Sequence, residues 1–379
     1  MEAMLSLAKT TPIKEIRIDD ITDHVGFCRR VFFYHFQSRR EFLSDTLEYV
    51  FSDHRLYDGR LSVRENFYLL CECAYEHHHF LNQCILNKEL SEELYEIIEK
   101  SLQQAVRNEV EADKGQRKAD DAVKNWTCIF NASFLASHIL LRLQRGSDIK
   151  CKEEYARDIR LMKDFFVYIE GMKISPLKVA FIISPFDGVS DVELKLMDAM
   201  KILAKEAPFE QILVSDVVRI AGISRTTFYK RNYSKHELRN RIWTYDILTI
   251  LNQMVDEKGN IDYKLFRKSI SEYYADNINL YGGGIIYNEY DSLYYALKYQ
   301  YDKNIRSIVE SLNLNYSYSG YAVNCIEYAL IDCILSPITK QDIGKSCLEN
   351  LGEKQICNLS DVFKYEMTEI WDEFIRDDE

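Results

Sequence analysis

Apolar residues recur along most of this chain at separations of three and four, the spacing that lines one face of an α-helix. Met197, Met200, Leu203, Ala204 and Ala207 follow it, and so do Phe130, Phe134, Ser137, His138 and Leu141. Alternation of apolar and polar residues, the strand pattern, is not sustained anywhere, so the sequence predicts an all-α fold. The five prolines, Pro12, Pro176, Pro185, Pro208 and Pro337, fall where helices are expected to start, end or join. A proline ring lacks the amide hydrogen and clashes with the preceding turn, so these positions leave the long segments between them free to be helical.

Residues 171–190 (GMKISPLKVAFIISPFDGVS) interrupt the helical pattern with two prolines, two glycines and a short apolar run, and they separate the chain into halves. The halves begin alike. A shift of 196 positions, without a gap, places Ala3 on Ala199, Met4 on Met200, Leu7 on Leu203, Pro12 on Pro208, Ile16 on Ile212 and Asp20 on Asp216. The register continues through Gly26 on Gly222, Arg29 on Arg225, Phe32 on Phe228, Ser38 on Ser234 and Glu41 on Glu237. Beyond about Tyr49 and Ile247 the likeness fades into helical sequence of different composition, richer in tyrosine in the second half. The expected organisation is a head at 1–48, a helical body at 49–172, a linker at 173–190, a second head at 191–245 and a second body at 246–379.

Each head reads as a first helix (about 2–10 and 194–206), a Pro-containing turn, a short second helix ending near Val25 and Ala221, and a glycine. Gly26 and Gly222 permit the positive backbone angle that lets two helices cross sharply. The third segments, CRRVFFYHFQ and SRTTFYKRNY, carry a polar or basic leading face with aromatics behind it. Ser38 with Glu41 and Ser234 with Glu237 have capping-box spacing, in which Ser accepts from a first-turn amide and Glu accepts from the Ser amide.

These stretches, DITDHVGFCRRVFFYHFQSRREF and DVVRIAGISRTTFYKRNYSKHEL, resemble the DNA-binding head of the TetR family. The resemblance covers roughly residues 3–47 and 197–243. It implies a third helix that enters the major groove of double-stranded DNA, where Arg29, Arg30, Val31 and Tyr34, or Arg225, Thr226, Thr227 and Lys230, reach base edges. It also implies that the phosphate-contacting aromatic falls on Phe33 and Tyr229, and the phosphate-binding cation on Arg39 and Lys235. Phe33 lacks the hydroxyl, which leaves Tyr34 and His35 as its nearest substitutes, and Arg231 with Asn232 stands where the family has a His-Phe pair. For the bodies the resemblance implies dimerisation and a small-molecule effector, and for the whole a ligand-responsive repressor.

Such heads usually work in pairs, because one reads only a few base pairs. A tandem chain supplies both. The expected arrangement is an intramolecular pseudo-dimer, with helices at about 120–145 and 152–170 packed on helices at about 319–335 and 358–376. The unlike recognition segments imply two unlike half-sites, and further homodimerisation stays open. The competing reading is a protein-binding coregulator whose heads have lost DNA affinity.

Charge sharpens this picture. Lys and Arg number 48 against 60 Asp and Glu, a formal net charge of -12, which excludes a protein that coats nucleic acid indiscriminately. Yet residues 29–43 hold four basic residues against one acidic, and residues 225–241 hold six against one. No run approaches the ~18 apolar residues of a membrane span, and the first residues lack the layout of a secretory signal, so a cytoplasmic chain is expected.

Ten cysteines without a CxxC pair read as reduced, mostly buried small hydrophobes. Cys71, Cys73, His77, His78, His79 and Cys84 have spacings that reach a metal, but adjacent histidines on a helix point apart, and no metal or cofactor is expected. Gly282 to Gly284 reads as a turn, since no Lys-Ser/Thr follows it. Tyr273, Tyr274, Tyr287, Tyr290, Tyr294, Tyr295 and Tyr299 fit either an effector pocket or core. No catalytic signature occurs, so no enzyme is expected.

Overall fold

The computed structural model describes residues 1–52, 61–112, 121–145, 152–172, 174, 176–181, 189–231, 234–255, 263–281, 293–339, 371 and 374–375. They form helices and turns with no strand among the described residues, so the fold is all-α. The first half runs α1 (Glu2–Leu7), α2 (Ile18–Val25), α3 (Arg29–His35), α4 (Arg39–Val50), α5 (Val63–Glu76), α6 (His78–Ile85), α7 (Lys88–Ala112), α8 (Asp121–Arg145) and α9 (Lys152–Gly171). The second runs α10 (Asp191–Ala204), α11 (Val214–Ala221), α12 (Arg225–Arg231), α13 (Lys235–Met254), α14 (Tyr263–Asp276), α15 (Ile278–Tyr281), α16 (Leu293–Ser311) and α17 (Ala322–Thr339). Single 3-10 turns, Ile13–Glu15 and Phe209–Gln211, follow the first helix of each half.

The 196-residue register is physical as well as textual. α2 and α11 both end in a left-handed glycine, Gly26 at φ 74° and Gly222 at φ 66°. The amides that follow close the same wide turn, Phe27 N–H to the Thr22 carbonyl and Ile223 N–H to the Val218 carbonyl, each at 2.9 Å. That bond satisfies a carbonyl the helix end leaves without an intrahelical partner, and the positive φ explains why glycine stands there. Matched apolar positions are buried in both copies: Met4 and Met200, Ile16 and Ile212, Phe32 and Phe228.

Capping follows the sequence in part. Ser38 and Ser234 each accept from the amide three residues on, Glu41 and Glu237, at 3.1 Å. The return bond differs from expectation in the first copy, where the Glu41 carboxylate accepts from Gln37 N–H rather than from Ser38. Ser38 is extended (φ -148°), and the carboxylate meets the amide one residue earlier. Complete capping boxes form instead at Ser62–Glu65 and Ser190–Glu193, which start α5 and α10.

The bodies share one core. The described parts of α8 and α17 are buried nearly all round, as expected of central helices, and the two pack along their length. Ala132, Ser133 and Ala136 on α8, and Cys325, Ala329 and Cys333 on α17, are small and buried, which permits close approach. α9 also packs on α17, so three of the four helices expected at the inter-half contact meet there. Residues 358–370 lie outside the described residues, but Trp371 Nε1 donates to Asn131 Oδ1 on α8 at 2.9 Å, and the Phe374 ring lies 5.7 Å from that of Phe67 on α5.

Within the segment expected as a linker, residues 176–181 form a 3-10 turn with Leu177 and Val179 buried. Tyr301 Oη donates to the Leu177 carbonyl and Asn304 Nδ2 to that of Val179, both at 2.9 Å, which fixes the turn on α16. The apolar LKVAF run explains this, since burying Leu and Val side chains stabilises by roughly 1.5–3 kcal/mol each.

Candidate nucleic-acid interface

In both heads a short helix stands out from the body on a buried aromatic. Phe32 anchors α3 against Phe36 and Phe42, with ring centroids 5.3 and 5.2 Å away. Phe228 anchors α12 in the same register. The opposite faces are exposed: Arg29, Arg30, Val31, Phe33, Tyr34 and His35 on α3, and Arg225, Thr226, Tyr229 and Lys230 on α12. Thr227 is half-buried, and the Arg231 side chain lies outside the described residues. The structure therefore brings the exposed residues of each copy together on one short helix.

The two faces differ in detail. Ser224 caps α12, its Oγ accepting from Thr227 N–H at 3.1 Å and lying 2.8 Å from Thr227 Oγ1. Cys28 holds the equivalent place before α3 and makes no side-chain cap bond. Arg29 bridges to both carboxylate oxygens of Asp19 at 3.2 Å, with its guanidinium 5.5 Å from the centroid of Phe33. The equivalent of Asp19 in the second head is Ser215, so that carboxylate has no counterpart at the matched position.

The cations read as phosphate ligands are engaged elsewhere. Lys235 Nζ donates to the carbonyls of Phe209, Glu210 and Ile212 at 3.0, 3.1 and 3.1 Å, which uses all three of its hydrogens, and lies 4.6 Å from the Phe209 ring centroid. Burial lowers its ammonium pKa from the usual value, opposed by Glu210 and reinforced by Arg239. Arg39 makes the matching tether, through Nε to the Ile16 carbonyl at 3.2 Å and through Nη2 to the Ile13 carbonyl. Both cations hold the 3-10 turn that aims the second and third helices. Spacing to the fourth-helix start could not show this, because the acceptors are backbone atoms 23 to 26 residues upstream.

No family model, curated protein or solved structure matches the chain.

The heads are tied to their bodies by polar bonds. Gln83 on α6 accepts from Ile13 N–H and donates to the Ala8 carbonyl, while Glu93 on α7 accepts from Ser44 and pairs with Arg40 at 2.9 Å. In the second half Lys201 on α10 pairs with Asp246 at 2.6 Å, and Tyr273 on α14 donates to Asp246 at 2.5 Å.

Cys71 and Cys84 are buried, and desolvation pushes both thiols up to about 12. The His78 and His79 rings lie 4.0 Å apart, and among the described residues no three ligating side chains converge. Tyr281 and Tyr294 are buried, Tyr273 and Tyr274 half-buried and Tyr299 exposed, whereas Tyr287, Tyr290 and Gly282 to Gly284 lie outside the described residues.

Sequence reading missed a buried polar cluster between the halves. His138 and Arg142 on α8 face Asp158 on α9, at 3.7 and 4.0 Å, and Ser319, just before α17, donates to Asp158 through both N–H and Oγ–H. Arg142 also pairs with Glu154 at 2.7 Å. Burial pushes the Asp158 carboxyl up to about 6, opposed by the Ser319 bonds, and holds the His138 imidazole well below its usual range, aided by Arg142. His138 had read as one more position of an apolar helix face.

Proposed function

We propose that this chain is a TetR-like, sequence-specific DNA-binding regulator with two such heads in one polypeptide, acting as a pseudo-dimer on two unlike half-sites. The observation that carries the reading is α12: a capped helix after a left-handed glycine, anchored by Phe228, with Arg225, Thr226, Tyr229 and Lys230 exposed together. Arg and Lys suit guanine edges and phosphates, and a tyrosine hydroxyl donates to phosphate. α3 repeats the glycine turn, the phenylalanine anchor and the exposed face 196 residues earlier, without the serine cap. The shared α8–α9–α17 core supports a fixed pairing of the two units, and the polar ties through Gln83, Glu93 and Asp246 support control of the heads by the bodies. Effector-dependent repression is the regulatory mode this organisation suits.

The test is enrichment of duplexes from a random pool by the full chain, followed by affinity measurements with Arg225→Glu/Lys230→Glu. The reading expects salt-sensitive binding that charge reversal removes while the helical circular dichroism stays unchanged. A second reading, a coregulator that docks a protein on its heads, is favoured by one observation. Val25 and Phe27, at the turn before α3, are 46% and 60% exposed. It expects no enriched duplex.

A further inference from the structure

The two heads present different chemistry in the same register. At the α12 position of Lys230, α3 carries Tyr34, 84% exposed, and at that of Tyr229 it carries Phe33, 47% exposed. Val31, also exposed, matches the half-buried, hydroxyl-bonded Thr227. Arg29 is held by Asp19 and by the Phe33 ring. Nevertheless the charged groups of α3 are all basic or neutral, Arg29, Arg30 and His35, with no acid on the helix. A face of this kind, apolar at its centre and basic at its start, fits a duplex groove better than a basic protein partner. In the major groove the only apolar group on a base edge is the thymine C5-methyl.

We propose that the heads divide the recognition work: α12 reads through charge and hydrogen bonds, and α3 reads thymine methyl groups through Val31 and Tyr34. One half-site is then thymine-rich and contributes less to the salt dependence, while the other carries guanine and most of the phosphate contacts. This inference rests on the DNA-binding reading and specifies the ligand of its first head.

The test replaces thymine by deoxyuridine, which removes only the methyl, in one half-site at a time of a duplex enriched by the full chain. The expected result is a loss of about fourfold per contacted thymine in one half-site, the factor that ~0.8 kcal/mol per buried methyl-sized group represents. The other half-site is expected to change less than about twofold. The double variant Val31→Ser/Tyr34→Ser, altered only on solvent-facing positions, abolishes the uracil effect and leaves the salt slope unchanged. Lys230→Ala keeps the uracil effect and lowers the slope by about one.

Equal sensitivity of both half-sites, no sensitivity in either, or an effect that survives the double variant overturns the division of labour while DNA binding stands. Protection of a single half-site that depends on Arg225 also overturns it, and assigns the α3 face to a protein partner. Failure to enrich any duplex overturns the DNA-binding reading, and this inference with it.

Discussion

Arg39 Nε donates to the Ile16 carbonyl at 3.2 Å, and 196 residues later Lys235 Nζ donates to the Ile212 carbonyl at 3.1 Å. Two different cations make the same bond at the same register, on the residue that ends the 3-10 turn before each second helix. Preservation of that contact across a change of side chain marks it as a structural part of the head. The turn sets the direction of the helix pair that follows, so the tether bears on whatever the third helix touches.

Removing the tether should cost stability before it costs any ligand contact. Lys235→Met leaves three carbonyls without their charged donor, and hydrogen bonds to charged groups contribute roughly 1.5–3 kcal/mol net. Urea unfolding of the variant is expected to show a loss of about 2 kcal/mol, with Lys235→Arg partly restoring it. An unchanged unfolding midpoint would mean that Lys235 acts outside the fold alone.

Cys28→Ser should stabilise the first head. Cys28 begins α3 without a side-chain cap bond, whereas Ser224 at the matched place accepts from Thr227 N–H. A serine cap contributes about 1 kcal/mol. The expected outcome is slower amide exchange at Val31 and its neighbours in the variant. Exchange no slower than in the parent protein would show that α3 does not gain from the cap.

The buried cluster between the halves predicts opposed responses to acid. Asp158 in the folded chain titrates near 6, above its usual 3.8, so the folded state takes the proton first. Its contribution to stability therefore rises as pH falls from 6 toward 3.8, by about 1.4 kcal/mol per unit. His138 has the opposite sign: its folded pKa is depressed, so stability is lost as pH falls below 6.5. Asp158→Asn removes the compensating gain. Relative to the parent it should lose about 1 kcal/mol more between pH 7.5 and pH 5, measured by denaturant unfolding at each pH. A pH-independent difference would show that Asp158 is not titrating there.

Much of the fold was legible in the sequence for local reasons. The glycine positions, the serine caps and the Phe32 and Phe228 anchors obey rules that span only a few residues, and a gapless register repeated them. What was not legible depends on long-range contacts. The packing of the LKVAF run inside the expected linker was not legible, because nothing nearby in sequence reveals that Tyr301 and Asn304 bind its carbonyls. Arg39 and Lys235 were read as phosphate ligands by resemblance, and local spacing does not reveal their main-chain acceptors 23 to 26 residues upstream. The pairing of Arg29 with Asp19, ten residues apart on different helices, was hidden because it depends on how α2 and α3 cross.

Charge in the second head carries the central claim. The measurement that tests it most directly is the affinity of the full chain for its best enriched duplex across a series of salt concentrations, with the mass of the complex determined alongside. The account predicts one chain on one duplex with two unlike protected half-sites, and log affinity falling linearly with log salt at a slope of about −0.9 per phosphate contact. Arg225→Glu/Lys230→Glu should flatten that line. Affinity that ignores salt, or the absence of any enriched duplex, would contradict it.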